Sequence, residues 1–284
     1  MPGKGKGGGG GGGKVITGTD QDDNIFYTRK PVTVNAGDGN DFVVTGSGDD
    51  TLNGEGGDDE LYSGGGNDTL NGGDGNDFLS GNTGNDILNG GDNTPVEVAP
   101  GVFEPGRDIA SFTGEPPTAT IGDANIGYIF QAGASAGEYT SHATPGGAVI
   151  DTMTGIEEIW GTNNNDTFIG GNWDEVFDAR LGDDTLTGND GADTFVFGHL
   201  DGLDEVTDFD PSEGDRIDLS VSVLDWEDLD TNENGVLDDG DDFVTVSGVT
   251  TAIDFGAAAG YAAGENVLTL TGASGLIEDD FIFV

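Results

Sequence analysis

The chain has 284 residues, of which 54 are glycine and none is cysteine, so neither disulfides nor thiolate metal sites can hold its fold. Its 55 Asp and Glu residues against 8 Lys and Arg residues give a formal net charge of −47 at pH 7, which argues against nucleic acid and anionic membrane as partners. Such repulsion leaves two options, a disordered chain or one that binds cations. No apolar run is long enough for a transmembrane segment.

The N-terminal end precedes the regular part of the sequence. Residues 1–17 are mostly glycine, and we predict a flexible arm without the apolar core of an ordinary cleavable signal peptide. Residues 18–26 and 27–35 are degenerate nine-residue units that keep Asp23, Ile25 and Val34 in phase with the repeats that follow. We therefore predict a cap at the start of a first block, 18–92.

The regular repeats begin at Ala36. Six consecutive units of nine residues follow, at 36–44, 45–53, 54–62, 63–71, 72–80 and 81–89. The fourth residue of every unit is Gly, the sixth is Asp and the eighth is aliphatic. Glycine permits left-handed backbone, so the first six residues can form a tight turn whose carbonyl oxygens converge with the Asp carboxylate. The last three residues can form a short strand with one apolar side chain inward.

Two units would complete one coil of 18 residues, so turns on the same side belong to units two apart. This spacing places Asp41 over Asp59 and Asp50 over Asp68, and stacked carboxylates repel one another unless a divalent cation lies between them. Ca²⁺ prefers about six to eight oxygen ligands, which carbonyl and carboxylate groups supply. The alternative is that these aspartates are only solvated turn formers, which would not require so strict a repeat.

A unit such as Gly72–Ser80 matches G-G-x-G-x-D-x-U-x, where U is aliphatic, and resembles the calcium-binding repeat of RTX (repeats-in-toxin) proteins. The resemblance implies an all-β fold, a right-handed parallel β-roll with several Ca²⁺ ions along both edges. The predicted calcium ligands of the first block are Asp23, Gly37, Gly39, Asp41, Gly46, Gly48, Asp50, Gly57, Asp59, Gly64, Gly66, Asp68, Gly73, Gly75, Asp77, Gly84 and Asp86.

Residues 93–160 break the register with several prolines and short strand-like runs, and we predict a β insert packed beside the roll. Within it, Gly133–Gly137 matches G-x-S-x-G, with His142 nearby. A nucleophile elbow needs a helix after the serine, whereas the residues that follow Ser135 are loop-like. No H-E-x-x-H motif occurs, so the sequence singles out no catalytic residue, and a protein without enzymatic activity is the preferred interpretation over an enzyme.

The nine-residue register resumes in a second block, 161–219, which also closes the roll. Its units start at 161, 170, 179 and 188, and Asn164 and Trp173 replace the fourth glycine of the first two, which puts calcium binding there in doubt. The segment from Gly191 onward resembles the one that closes the roll in secreted RTX proteases and lipases. The predicted ligands of this block are Asp166, Gly182, Asp184, Gly191 and Asp193.

Residues 220–284 are predicted to form a β-rich C-terminal cap with a further calcium loop. The run Asp230–Asp241 fits the twelve-residue EF-hand spacing, with Gly235 at the sharp turn. It departs from that pattern by Asp at position twelve and by strand-like residues where a helix should follow. The chain end, Glu278–Val284, resembles the uncleaved type I secretion signal of RTX proteins. The predicted ligands of the loop are Asp230, Asn232, Asn234, Val236, Asp238 and Asp241.

Two functions fit these features. The first is a secreted calcium-binding RTX protein, exported by type I machinery, which folds on extracellular Ca²⁺ and serves as a structural, surface-associated or binding module. Its partners would be calcium, the export machinery and a cell-surface or extracellular polysaccharide, with no nucleic acid. The alternative is an extracellular hydrolase or polysaccharide-modifying enzyme that carries RTX repeats.

Overall fold

The computed structural model describes residues 13–28, 31–92, 96–99, 102–104, 107–111, 126–132, 136–142, 149–198, 202–220, 222–260, 263–264 and 266–283. Over these residues the protein is a parallel β-solenoid of about 9 turns with 5% helix, which confirms the predicted all-β roll. Two sheets of 14 and 10 strands form its two faces. We call them the first and the second sheet.

The N-terminal half of the roll alternates between the two sheets. Odd-numbered strands up to β9 belong to the first sheet and the even-numbered ones up to β8 to the second. These strands are β1 (Lys14–Thr19), β2 (Asn24–Phe26), β3 (Val32–Asp38), β4 (Phe42–Val44), β5 (Thr51–Gly56), β6 (Glu60–Tyr62), β7 (Thr69–Asp74), β8 (Phe78–Ser80) and β9 (Ile87–Asp92). Strand β1 includes residues 14–17, the last part of the predicted flexible arm, because Val15 and Ile16 pair with strand β3.

The predicted insert supplies seven strands. These are β10 (Val96–Ala99), β11 (Val102–Glu104), β12 (Ile109–Ser111), β13 (Ile126–Ala132), β14 (Tyr139–His142), β15 (Val149–Thr154) and β16 (Glu158–Trp160). Strands β10 and β11 form a separate antiparallel pair. Strand β12 lies between β8 and β16 in the second sheet, and β15 pairs with β9 in the first.

The structure therefore differs from the expectation that this segment packs beside the roll. Its strands carry both sheets from the first block to the second, with the antiparallel strands β13 to β15 inserted into the first sheet. The physical reason is the edge of each sheet: strands β8 and β9 would otherwise end with unpaired backbone groups, which β12 and β15 satisfy. The domain boundaries themselves stay a prediction.

The C-terminal half resumes the alternation and ends in an antiparallel cap. Its strands are β17 (Asn165–Ile169), β18 (Val176–Asp178), β19 (Thr185–Thr187), β20 (Thr194–Val196), β21 (Gly202–Val206), β22 (Arg216–Asp218), β23 (Val244–Ser247), β24 (Thr250–Asp254), β25 (Asn266–Thr271) and β26 (Phe281–Ile282). Short helices α1 (Trp226–Leu229) and α2 (Phe255–Ala258) and a 3₁₀ turn at Glu278–Asp280 complete it. No helix in the described part of the chain is long and apolar enough to span a membrane.

The pairing register confirms the 18-residue coil in the first block. Val34 pairs with Leu52 and Leu52 with Leu70, while Val43 pairs with Leu61 on the other sheet. The eighth residue of every unit points inward and is at most 1% exposed, as the period-two alternation of strands requires. Within the six repeats the core is therefore a narrow stack with one large apolar residue from each unit. Its members in the first block are Val43, Leu52, Leu61, Leu70, Leu79 and Leu88.

Candidate calcium-binding turns

Both edges of the roll consist of turns whose backbone requires left-handed conformations. The fourth residue of each first-block unit has a positive φ, from +109° at Gly39 to +149° at Gly84. A Cβ added at Gly66 would lie 2.6 Å from the backbone of Gly48, one coil below. Only glycine fits this position, because the φ is unfavourable for other residues and the next coil leaves no space.

The second position also takes a positive φ in most units, but not at Gly46, Thr162 or Gly171, and it tolerates residues other than glycine. Four of the non-glycine residues with positive φ occupy this position, with φ between +59° and +81°. This region is the ordinary left-handed one, which a side chain can enter at a cost of about 1–2 kcal/mol. The four residues are Glu55, Asn82, Arg180 and Asn189.

The sixth-position carboxylates form a continuous file along each edge. The backbone N–H of Asp41 donates to Oδ1 of Asp59 (2.8 Å), and that of Asp59 donates to Oδ1 of Asp77 (2.9 Å). On the opposite edge the N–H of Asp50 donates to Oδ1 of Asp68 (2.7 Å). Oδ1 of each carboxylate thus accepts a hydrogen bond from the coil below it. This bond holds the second oxygen, Oδ2, in a fixed place inside the turn.

The second carboxylate oxygen, Oδ2, is the atom that indicates a cation site. These side chains are only 0–2% exposed, yet their Oδ2 atoms are buried without a hydrogen-bond partner among the described residues. A buried carboxylate oxygen without a partner is costly, and a cation is the group that would satisfy it. The residues with this property include Asp41, Asp50, Asp59, Asp77, Asp108 and Asp184.

The pKa values of Asp59, Asp77 and Asp184 indicate the same lack of compensation. Burial raises the pKa of Asp59 to about 7 and that of Asp77 to about 6, against the partial opposing effect of the backbone hydrogen bonds they accept. Burial raises the pKa of Asp184 further, to about 9. These three carboxylates are therefore poorly stabilised in their charged form by the protein alone. A bound divalent cation would reverse this effect.

Backbone oxygens are needed to complete any calcium site here. No group of three or more His, Asp or Glu side chains converges on a common point within the residues that the structure describes. A turn with one buried carboxylate and several glycines supplies the remaining oxygens as carbonyls, which Ca²⁺ accepts readily. These carboxylate and carbonyl oxygens are the calcium ligands that the repeat predicts, so the residues present fit Ca²⁺.

A second polar file, which the sequence reasoning missed, runs along the outer side of each edge at the fifth position. The N–H of Asp58 donates to Oδ1 of Asn40 (3.1 Å), and the N–H of Asn76 donates to Oδ1 of Asp58 (2.9 Å). The opposite edge repeats the pattern with Asn67 and Asp49 (3.0 Å). The sequence contains the signal for this outer file, because the fifth residue of each of the six units is Asn or Asp.

Asp108 was also missed, and it continues the inner file across the interruption. Its Oδ1 accepts from the N–H of Asp77 (2.8 Å), its side chain is 0% exposed, and burial raises its pKa to about 7. In the second block Asp215 extends the file in the same way, with Oδ1 accepting from the N–H of Asp193 (3.0 Å). The sequence signal was an Asp two residues before an inward apolar residue, Ala110 or Ile217.

The two second-block units without a fourth glycine behave differently from each other. In the first, Oδ2 of Asp166 accepts from the N–H of Thr162 (2.6 Å) and from its hydroxyl (3.0 Å), so the turn satisfies this oxygen internally. In the second, Oε1 of Glu175 accepts from the N–H of Gly171 (2.9 Å), and burial raises the pKa of Glu175 to about 8. Both residues keep their place in the file, at positions equivalent to Asp184 and Asp193.

The EF-hand-like loop is folded back on its own side chains. Asp230 and Asp241 are each 5% exposed, and Oδ2 of Asp230 accepts from the N–H of Gly235 (2.7 Å). Oδ1 of Asp238 accepts from the N–H of Gly240 (2.6 Å), which, with the Asn234 amide, lowers the pKa of Asp238. Strand β23 follows the loop, not a helix. Calcium binding by this loop, including the contributions of Asn232 and Val236, stays a prediction.

Other predicted features have a definite place or lie outside the described residues. Asp23 joins the inner file at its N-terminal end, since its N–H donates to Oδ1 of Asp41 (2.6 Å). Ser135 lies outside the described residues, whereas His142 is the last residue of strand β14. Strand β26, at the predicted secretion signal, pairs with β22 through Ile217 and Phe281. The chain end is thus at least the last strand of the second sheet.

Comparison with known proteins agrees with this geometry. The RTX calcium-binding nonapeptide repeat matches in four copies, over residues 35–70, 62–94 and 174–198. None of the curated proteins matches the chain. The matched segments are the ones in which the positive-φ glycines, the carboxylate file and the inward eighth residue occur together. The chain therefore carries RTX calcium-binding nonapeptide repeats, which form a β-roll and bind several Ca²⁺ ions.

Proposed function

We propose that this protein is exported unfolded and that its roll folds when it meets extracellular Ca²⁺, to serve as a structural or surface-binding module outside the cell. The observation that carries this proposal is the set of buried carboxylate oxygens without a partner, such as Oδ2 of Asp59 and Asp77. Without a cation these groups oppose folding, so the free energy of calcium binding becomes free energy of folding.

The composition supports the same conclusion. A formal net charge of −47 favours an open chain, and each unit offers only one fully inward apolar residue to offset it. Extracellular calcium modules bind with dissociation constants of about 10⁻⁴–10⁻³ M, a range that separates the outside of a cell from its inside. An open chain in the cell suits a narrow exporter, and the acidic and apolar residues of Glu278–Val284 are the candidate export signal.

The ions would be held in the turns by the sixth-position carboxylates together with backbone carbonyls of the glycine-containing positions. The best-supported side chains are those with a buried oxygen without a partner, which include Asp41, Asp50, Asp59 and Asp77 in the first block and Asp184 in the second. When bound, Ca²⁺ supplies charge neutralisation and a link between consecutive coils. The protein residues supply the fixed oxygens.

Circular dichroism of the full chain during a calcium titration tests the proposal. We expect a spectrum without β-structure in chelator and a cooperative rise of β-structure in the submillimolar to millimolar range of Ca²⁺. Mg²⁺ at the same concentrations is the matched control, because it demands about six oxygens in a smaller octahedral shell and should not replace Ca²⁺. A chain that is already β-rich in chelator would refute calcium-dependent folding.

A further inference from the structure

The outer face of the second sheet carries a row of aromatic side chains, and the chemistry of the turns does not require them. The row alternates between the third and first residues of strands β2, β4, β6, β8 and β16, and each ring contacts the next diagonally; strand β12, between β8 and β16, contributes no ring. Ring centroids are 5.3–5.6 Å apart throughout. Here this row is called the aromatic ladder, and its members are Phe26, Phe42, Tyr62, Phe78 and Trp160.

The ladder follows the long axis of the roll. Its rings span six neighbouring strands, from β2 to β16, which corresponds to about 24 Å at the usual strand spacing. Phe26 is 64% exposed and the other four rings are partly exposed. The guanidinium of Arg180 lies 4.1 Å above the ring of Trp160 and ends the row. The result is an elongated apolar ridge on the surface.

The polar atoms of the ladder are fixed by glutamates on the same strands. The hydroxyl of Tyr62 donates to Glu60 (3.3 Å), and Nε1 of Trp160 donates to Glu158 (2.6 Å). Glu158 also pairs with Arg107 (3.1 Å). These contacts orient the rings before any ligand arrives, and pre-organised aromatic groups contribute most to binding.

Two grooves flank the ladder and differ in chemistry. One of about 520 Å³ is mostly apolar and is lined by Phe42, Val44, Tyr62 and the turn residues Thr45, Gly64, Asn82 and Thr83. The other, of about 400 Å³, lies between Phe42 and Phe78 and opens onto the candidate calcium-binding turns. Besides these two rings it is lined by the inner-file carboxylates Asp41, Asp59 and Asp77, the outer-file residues Asn40, Asp58 and Asn76, and Glu60, Arg107 and Ile109. A ligand along the ridge would therefore meet aromatic faces in the middle and amide and carboxylate groups at one side.

From this arrangement we infer that the aromatic ladder binds an extended, uncharged polysaccharide parallel to the axis of the roll. A sugar ring has an apolar face of C–H groups, which stacks on aromatic rings, and hydroxyl groups at its edge, which donate to carboxylates and amides. A linear chain of such rings matches the length and the two-sided chemistry of the ridge. This inference rests on the proposed surface-binding function and names its partner.

The negative charge of the protein disfavours other ligands of the aromatic ladder. A polyanionic glycan or a second copy of this chain would bring like charge to a protein of net charge −47, which suppresses association. The outer face of the first sheet offers the contrast, since its outward positions on β5 and β7 are Thr51, Asn53, Thr69 and Asn71, without aromatic rings. That face provides a control surface with the same coil geometry.

Affinity electrophoresis of the calcium-saturated full chain tests the inference, with a soluble neutral β-glucan and a neutral mannan as probes and alginate and chitosan as charged comparisons. We expect retardation by at least one neutral glycan and not by alginate. The double variant Tyr62→Ala/Phe78→Ala should weaken binding about tenfold, since two stacked rings are lost. The matched control Thr51→Ala/Thr69→Ala, on the opposite face, should bind like the wild type.

Circular dichroism with calcium comes first, so that two failures remain distinguishable. A chain that never forms the roll refutes the proposed function, whereas a folded roll that binds no neutral glycan overturns only the ladder inference. If Tyr62→Ala/Phe78→Ala disturbs the fold, the milder Tyr62→Leu/Phe78→Leu keeps apolar volume and should still lose binding. Unchanged affinity in a folded ladder variant, binding to chitosan alone, or a ladder-dependent dimer in sedimentation would each contradict the inference.

Discussion

The two repeat blocks build the same coil with different side chains. In the first block the fourth residue of each nine-residue unit is glycine. The core is aliphatic, with Leu52, Leu61 and Leu70 fully buried. In the second block Asn164 and Trp173 replace that glycine in two units, and the core becomes a stack of phenylalanines. The ring centroids of Phe168 and Phe177 are 5.2 Å apart, and those of Phe177 and Phe195 are 6.4 Å apart.

This contrast separates two ways to stabilise a turn. In the first block the carboxylate of Asp59 leaves one oxygen without a partner, so the turn depends on a cation. In the second block Thr162 donates twice to Asp166, so that turn is closed by the protein itself, and the larger aromatic core adds buried area. We infer that the turns of the first block depend on Ca²⁺ more strongly than the Asp166 turn, which begins the second block.

The largest effect on stability is expected from a substitution at the fourth position of a nine-residue unit. Gly66→Ala should lower the free energy of unfolding by about 3 kcal/mol or more, because φ is +142° and the new Cβ would lie 2.6 Å from the Gly48 backbone. Asn164→Ala, at the same position of the second block, should cost about 1 kcal/mol or less. Urea midpoints in saturating calcium would measure both. Similar losses for the two variants would remove the distinction between the blocks.

A smaller effect is expected from the carboxylates. Asp59→Asn should raise the calcium concentration at half-folding about tenfold, since it removes a ligand charge at an oxygen without another partner. Asp166→Asn should leave that midpoint nearly unchanged, because Thr162 already satisfies the oxygen in question. Calcium titrations followed by circular dichroism compare the two. An equal shift for Asp166→Asn would mean that both blocks bind calcium alike.

The smallest effect is a pH dependence of the metal-free chain. Burial raises the pKa of Asp59 to about 7 and that of Asp184 to about 9, above the value of about 3.9 for an unfolded Asp. Protonation therefore favours the roll below about pH 4, and this stabilisation is lost as the pH rises through 7 and 9. In chelator, acidification should increase β-structure, whereas with calcium it should weaken ion binding. A metal-free chain whose β-content does not change between pH 4 and 9 would contradict this account.

The regular part of the fold could be predicted because its period is strict. The glycine at position four, the Asp at position six and the inward residue at position eight each have one physical reason, and the coil of 18 residues follows from them. Asn82 and Glu55 show the limit of such reasoning at position two, where the left-handed φ is visible only in the structure.

The interrupted part could not be predicted in the same way. Asp108 stacks beside Asp77 although 31 residues separate them, because strand pairing depends on the path of the chain and not on sequence distance. The short runs around Ile109 and Ile217 gave a strand signal but no register. The aromatic ladder was equally hidden, since its rings lie far apart in sequence and meet only when the coils stack.

The narrow core has a consequence for how such a molecule can grow. In a globular domain the interior gains volume faster than the surface as the chain lengthens, so size itself improves stability. Here each added coil brings two inward residues, such as Leu61 and Leu70, and a fixed amount of new surface, so the ratio stays constant. Length can then be set by the reach that the protein needs, while each coil depends on its own ions and its two neighbours.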